Sequence, residues 1–149
     1  MTEKDAKLLV EIEKRLRSMQ LIFPAPGENR YYRADDLTRI KHFTIQAFKG
    51  KRGGSKNYFT LLYRKSTPLL RVDTDGPGVH YNSDGTIIPP HTPHIHIFDD
   101  KTRGHDALRL PDSFSSPQDG LKTFMDFLRY INIMDLDSVQ IIHQGGLVS

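Results

Sequence analysis

Between residues 39 and 110 the chain is cut into short alternating segments by turn residues, with no helical stretch between them. Strands joined by tight turns pair antiparallel, whereas a parallel pair needs a crossover of a dozen or more residues. The middle of the chain therefore argues for an antiparallel meander and against βαβ units. The first two segments set the pattern. In residues 39–48, Phe43, Ile45 and Ala47 alternate with His42, Thr44 and Gln46; in residues 57–65, Phe59, Leu61 and Tyr63 alternate with Tyr58, Thr60, Leu62 and Arg64. Alternation of this kind is the signature of a strand with one buried face. Further strands are predicted over residues 68–73, 79–81, 86–88, 94–98 and 107–110. Asn82-Ser83-Asp84-Gly85 closes a hairpin.

Helical periodicity sits at the two ends. Thr2 can cap a helix with Asp5 in the capping-box position, and Leu9, Ile12, Leu16 and Met19 repeat at helical spacing, predicting a helix to about Ser18. Residues 21–27, with Pro24 and Pro26, stop it as a proline-rich arm. Ser116-Pro117-Gln118-Asp119 predicts a second helix start, and Leu121, Phe124, Met125, Leu128 and Ile131 form its buried stripe to about Asn132. Residues 139–142 are a last strand or a tail. The expected fold is α+β: a mostly antiparallel, twisted sheet of about six short strands, with an N-terminal and a C-terminal helix packed on one face. At 149 residues this is one domain, 1–149. No apolar run is long enough to cross a membrane, and the absence of cysteine excludes thiolate chemistry and fits a cytoplasmic location.

Residues 71–100 concentrate the chemistry. His94 and His96 lie two apart on a predicted strand, so both imidazoles share one face, roughly 6.5–7 Å apart along the strand, while Ile95 and Ile97 face a core. Arg71 and Asp73 form a second same-face pair. Two chemistries fit these residues. With a third ligand from His80, His91, Asp73 or Asp75, the histidines could hold a divalent metal such as Zn or Mn, with His80, His94 and His96 as the expected set. Without metal, one histidine can serve as base and the other as acid on a phosphoester, with Asp73 and His80 close by and Arg71 and Asn82 binding ligand. The two H-x-[ST] motifs of paired-histidine phosphoesterases are not both present. His42, His105 and His143 read as surface or core residues.

Charge is segregated. From residue 37 to 72 every ionised side chain is basic, and from 73 to 100 every one is acidic, within a net charge of +3. The basic block suits an anionic partner. Lys49, Lys51, Arg52 and Lys56 flank a glycine-rich hairpin tip that could touch nucleic acid or a nucleotide, although it lacks the P-loop spacing. A protein-interaction module that inhibits or pairs with a phage or host protein is the remaining reading.

The order Arg71-x-Asp73, His80-x-Asn82-x-Asp84-Gly85, His94-x-His96, Phe98, then Asp126-Phe127-Leu128-x-Tyr130-x-Asn132 resembles a family of small phage and prophage proteins of unassigned function. The resemblance spans residues 70–133. It implies a mobile-element protein of the bacterial cytoplasm, a toxin–antitoxin or host-defence component.

Overall fold

The computed structural model describes residues 1–51 and 56–143. Its centre is a seven-stranded sheet of which four long strands form the body: β3 (Asn29–Asp36), β4 (His42–Lys49), β5 (Asn57–Tyr63) and β6 (Thr67–Asp73). The sheet is extended on one side by β1 (Lys14–Leu16) and on the other by β9 (His94–Ile97) and β10 (Ala107–Arg109), in the order β1-β3-β4-β5-β6-β9-β10. Every pairing in it is antiparallel. A small hairpin of β7 (His80–Tyr81) and β8 (Ile87–Ile88) lies between β6 and β9 in sequence. The fold is α+β with a mostly antiparallel sheet, as expected, but with seven strands in the main sheet and two further two-stranded pairs.

One sheet face is apolar. Phe43, Ile45 and Ala47 of β4, Phe59 and Leu61 of β5, Leu70 and Val72 of β6 and Ile95 of β9 are all buried in a single core. The helix α2 (Gly120–Tyr130) packs onto it through Phe124, whose ring centroid lies 5.2 Å from that of Phe59, and through Phe127 at 5.9 Å. The first helix, α1 (Glu3–Glu11), adds Ala6, Leu9 and Val10. Its capping box is formed: the Thr2 hydroxyl accepts from the Asp5 amide at 3.1 Å, and the Asp5 carboxylate accepts from the Thr2 amide at 3.2 Å.

Three sequence expectations need correction. The first helix ends at Glu11, not near Ser18, because Lys14 bonds through its backbone to Asn132 and Met134 and continues into β1. The second helix starts after Asp119, whose side chain accepts from the Lys122 amide; Ser116 instead offers its carbonyl to Asp119 and Thr123. The proline-rich arm begins as β2 (Gln20–Phe23), which pairs in parallel with β11 (Gln140–His143).

Where α1 ends and α2 ends, Lys14 joins them. Its side chain is fully buried, and its ammonium donates to the carbonyls of Val10 at 2.8 Å, Ile12 at 2.9 Å and Ile131 at 2.8 Å. It also lies 4.9 Å from the centre of the Phe43 ring. Burial pushes this amine down to about 7, while three carbonyl oxygens at helix C-termini oppose that by favouring the charged form.

Candidate functional site

The opposite, outer face of the sheet carries the chemistry, and strand register fixes which residues meet. Arg71 pairs directly with His96, and Asp73 with His94. One cross-strand row therefore runs Tyr31, Gln46, Thr60, Arg71, His96, Ala107, and the next runs Asn29, Phe48, Tyr58, Asp73, His94, Arg109. Directly paired residues project to the same side. The two same-face pairs read from the sequence thus become one four-residue patch.

That patch is roofed by the hairpin. His80 of β7 places its ring centroid 5.1 Å from His96 and 5.9 Å from His94; His94 and His96 are 5.0 Å apart, and His105 lies 5.1 Å from His80. His94, His96 and Asp73 are buried in consequence. The roof is clamped by Asn82. Its side-chain NH2 donates to the Ala107 carbonyl at 2.8 Å and to the Thr86 hydroxyl at 2.9 Å, and its carbonyl accepts from the Ala107 amide at 2.8 Å. Asn82 thereby imitates a strand's backbone against β10, and its amide groups are engaged in holding the hairpin, not turned to a ligand.

Hydrogen-bond partners assign the tautomers. His94 Nδ1 lies 2.8 Å from the Thr92 carbonyl, and His96 Nδ1 lies 3.0 and 3.1 Å from the carbonyls of Gly104 and His105. A carbonyl only accepts, so both Nδ1 atoms carry hydrogen and, in the neutral ring, Nε2 keeps the lone pair. His94 Nε2 faces the Asp73 carboxyl at 3.6 Å. His96 Nε2 is buried without a hydrogen-bond partner, as is His80 Nε2. Burial, with Arg71, His94 and His80 adding to it, pushes His96 down to about 4, so it is neutral at pH 7. Burial raises the Asp73 carboxyl above the ordinary carboxylate range, against the opposing pull of His94 and Arg71.

Beside His96 a cleft of about 390 Å³ opens on the outer face, lined among others by Gln46, Tyr58, Thr60, Arg71, Phe98 and Arg103. Two guanidinium groups sit on aromatic rings here: Arg71 is 5.5 Å from the Tyr58 centre, and Arg103 is 5.5 Å from that of Phe98. The rings hold the cations in place and leave their N–H groups available to an anion.

The expected metal set is His80, His94 and His96. Their rings cluster, yet among the described residues no group of three His, Asp or Glu side chains is arranged to hold a metal ion. Of the other proposed ligands, His91 and Asp75 pair with each other at 2.6 Å near the surface. The glycine-rich tip also divides. Lys49 lies 6.0 Å from the Phe23 ring on the helix side of the sheet, whereas Lys56 lies 5.2 Å from the Tyr58 ring on the outer side. The Lys51 stem packs on Gly27, and Arg52 lies outside the described residues.

A family model matches residues 1–133; it describes a family of unknown function, DUF6978. The chain belongs to DUF6978. No curated protein and no solved structure matches it. The part shared with DUF6978 contains the whole histidine patch, its roof and the cleft, and stops short of β11.

Several contributors to this site escaped the sequence reading. Thr60, Gln46 and Tyr58 reach the cleft only through strand register. Arg103 and His105 come from the turn after β9, where an acidic-looking Asp99-Asp100 run gave no hint of a cation facing Phe98. No spacing rule would have found them.

Proposed function

We propose that the outer-face cleft binds a phosphate-bearing ligand and acts on a phosphoester. Arg71 and Arg103 hold the phosphate, His96 Nε2 accepts a hydrogen, and the Asp73–His94 pair donates a proton. The observation that supports this reading most is the buried, unpartnered Nε2 of a neutral histidine beside two guanidinium groups. Leaving such a group unsatisfied costs about 1–3 kcal/mol, and a ligand that donates a hydrogen bond recovers it. An arriving phosphate is anionic and draws the His96 pKa upward from its low resting position, into a range useful for a base. In the hydrolytic step water gives its proton to His96 and forms the new P–O bond. The P–O bond to the leaving group breaks, and that oxygen takes its proton from the Asp73–His94 pair. The mobile-element setting implied by the motif resemblance is the context in which we place this activity.

The test is calorimetric titration with nucleoside monophosphates, coupled to turnover of bis(p-nitrophenyl) phosphate. Arg71→Gln and His96→Ala are expected to weaken binding at least about tenfold, the scale of one charge-assisted hydrogen bond. Unchanged affinity in both variants would overturn the binding site. Binding without turnover would remove the hydrolytic step alone.

A further inference from the structure

A second cationic cleft lies on the same side of the sheet, at the end where β4 begins and β5 stops. It encloses about 630 Å³ and is lined by Arg17, Arg33, His42, Arg64 and Lys65, among others. The charge balance inside it is informative. Beside it on β3, Asp35 is already occupied: Arg17 grips it with two bonds of 2.9 and 2.8 Å, and His42 Nδ1 stands 2.7 Å away. Those partners hold Asp35 down to about 2, so it stays ionised and paired. Among the described residues, Arg33, Arg64 and Lys65 have no carboxylate within ion-pair distance. Arg33 is braced by the Thr44 hydroxyl, which in turn donates to the Arg64 carbonyl at 2.6 Å. Arg64 holds a left-handed backbone, φ 57°, rare for a residue with a side chain.

The two clefts are neighbours on the sheet. Arg33 pairs with Thr44, Thr44 with Leu62, and Leu62 with Pro68, and the last two line the His96 cleft. Four strand spacings separate Arg33 on β3 from His96 on β9, about 19 Å. Tyr31 stands beside Arg33, two residues away on β3 and on the same face, at the end of the row that leads through Gln46 of the His96 cleft to His96, and is 59% exposed. A bare aromatic ring beside one cationic cleft, on the row that leads to the other, matches the pattern of single-stranded nucleic-acid surfaces, in which cations track the backbone and rings stack bases.

From this juxtaposition we infer that the outer face is a track for single-stranded RNA, with one backbone phosphate at Arg33, Arg64 and Lys65, a base on Tyr31, and a second phosphate at Arg71 and Arg103. RNA is favoured over DNA by His96. Its Nε2 needs a hydrogen-bond donor, which an ionised phosphate lacks and a ribose 2′-hydroxyl supplies. The inference deepens the reading of the His96 cleft as a phosphate site and rests on it.

Fluorescence anisotropy with labelled oligonucleotides of one to eight residues tests it, using the full chain. Affinity for RNA is expected to rise by about tenfold or more between a mononucleotide and a tetranucleotide, to fall steeply with salt, and to exceed that for DNA of the same sequence. The double variant Arg33→Gln/Arg64→Gln, and separately Tyr31→Ala, are expected to lose that length gain, with mononucleotide affinity retained and circular dichroism unchanged. A mononucleotide that binds as tightly as the longer strands would overturn the track and leave the His96 site standing. Equal affinity for DNA, or tighter binding of a duplex, overturns the RNA assignment. No binding of any oligonucleotide or mononucleotide removes both readings.

Discussion

Two buried ionisable groups in this molecule are handled in opposite ways. Lys14 is enclosed between the ends of α1 and α2, and its ammonium nitrogen donates to three carbonyls at 2.8, 2.9 and 2.8 Å. His96 is enclosed between the sheet and its hairpin roof, and one ring nitrogen is fixed on two carbonyls while the other has no partner. Burial alone does not separate them. Completion does: a buried group whose every bond is made is part of the scaffold, and one left half-made beside a cleft is poised for something that arrives from outside.

The largest expected effect breaks the comparison on the Lys14 side. Lys14→Ala leaves three helix-end carbonyls unpaired and a void under Phe43, and should destabilise the chain by about 3–5 kcal/mol in urea denaturation. A loss under about 1 kcal/mol would show that the ammonium is not the tie between the helices.

The second test uses pH. Folding lowers the His96 pKa from 6.5 to about 4, so between those values the unfolded chain binds more protons than the folded one. Stability from this group is complete above pH 6.5 and falls away as pH drops through 4, by about 3 kcal/mol at most. Asp73, raised by burial, works in the opposite sense: its contribution is present at low pH and fades as pH rises. His96→Phe isolates the histidine. Denaturation at pH 7 should show the variant within about 1 kcal/mol of the parent, since an apolar ring of similar shape replaces a half-satisfied one. At pH 4 the variant should be the more stable of the two. A parallel pH dependence in both proteins would mean His96 is solvated after all.

The smallest effect concerns the roof. Asn82→Ala removes the clamp on Ala107 and should cost about 1–2 kcal/mol. Hydrogen exchange should report it locally, as faster exchange of the Ala107 amide with the core strands unaffected. Uniform acceleration across β4 and β5 would show instead that the roof and the sheet open as one unit.

How far the sequence led depends on which contacts are local. The capping box of α1, the alternation in β4 and β5 and the apolar stripe of α2 are written in neighbouring residues, and the structure bears them out. β1 was absorbed into the helix pattern because three residues cannot distinguish two periods: Leu16 falls at helical spacing from Leu9 and is also an inward residue of a strand. β3 was missed because it alternates Tyr31, Arg33 and Asp35 with Tyr32, Ala34 and Asp36, so neither face looks apolar; the outer residues line the cationic surface, and Asp36 turns back to accept from the Ile40 and Lys41 amides. In the candidate site, the H-x-H and R-x-D geometry followed from the pleat. That the two pairs would lie in register, residue against residue, depended on β6 and β9 meeting across the β7–β8 hairpin, a contact that no local pattern encodes.

The parallel pairing of β2 with β11 joins Gln20 to Gln140, 120 positions apart. On the ribosome, Leu21 and Phe23 therefore emerge long before the strand that will shield their edge. Until Gln140 is synthesised, the nascent chain carries an open hydrogen-bonding rim next to its growing core, and a messenger cut short in that interval would yield a product prone to pair with its own copies.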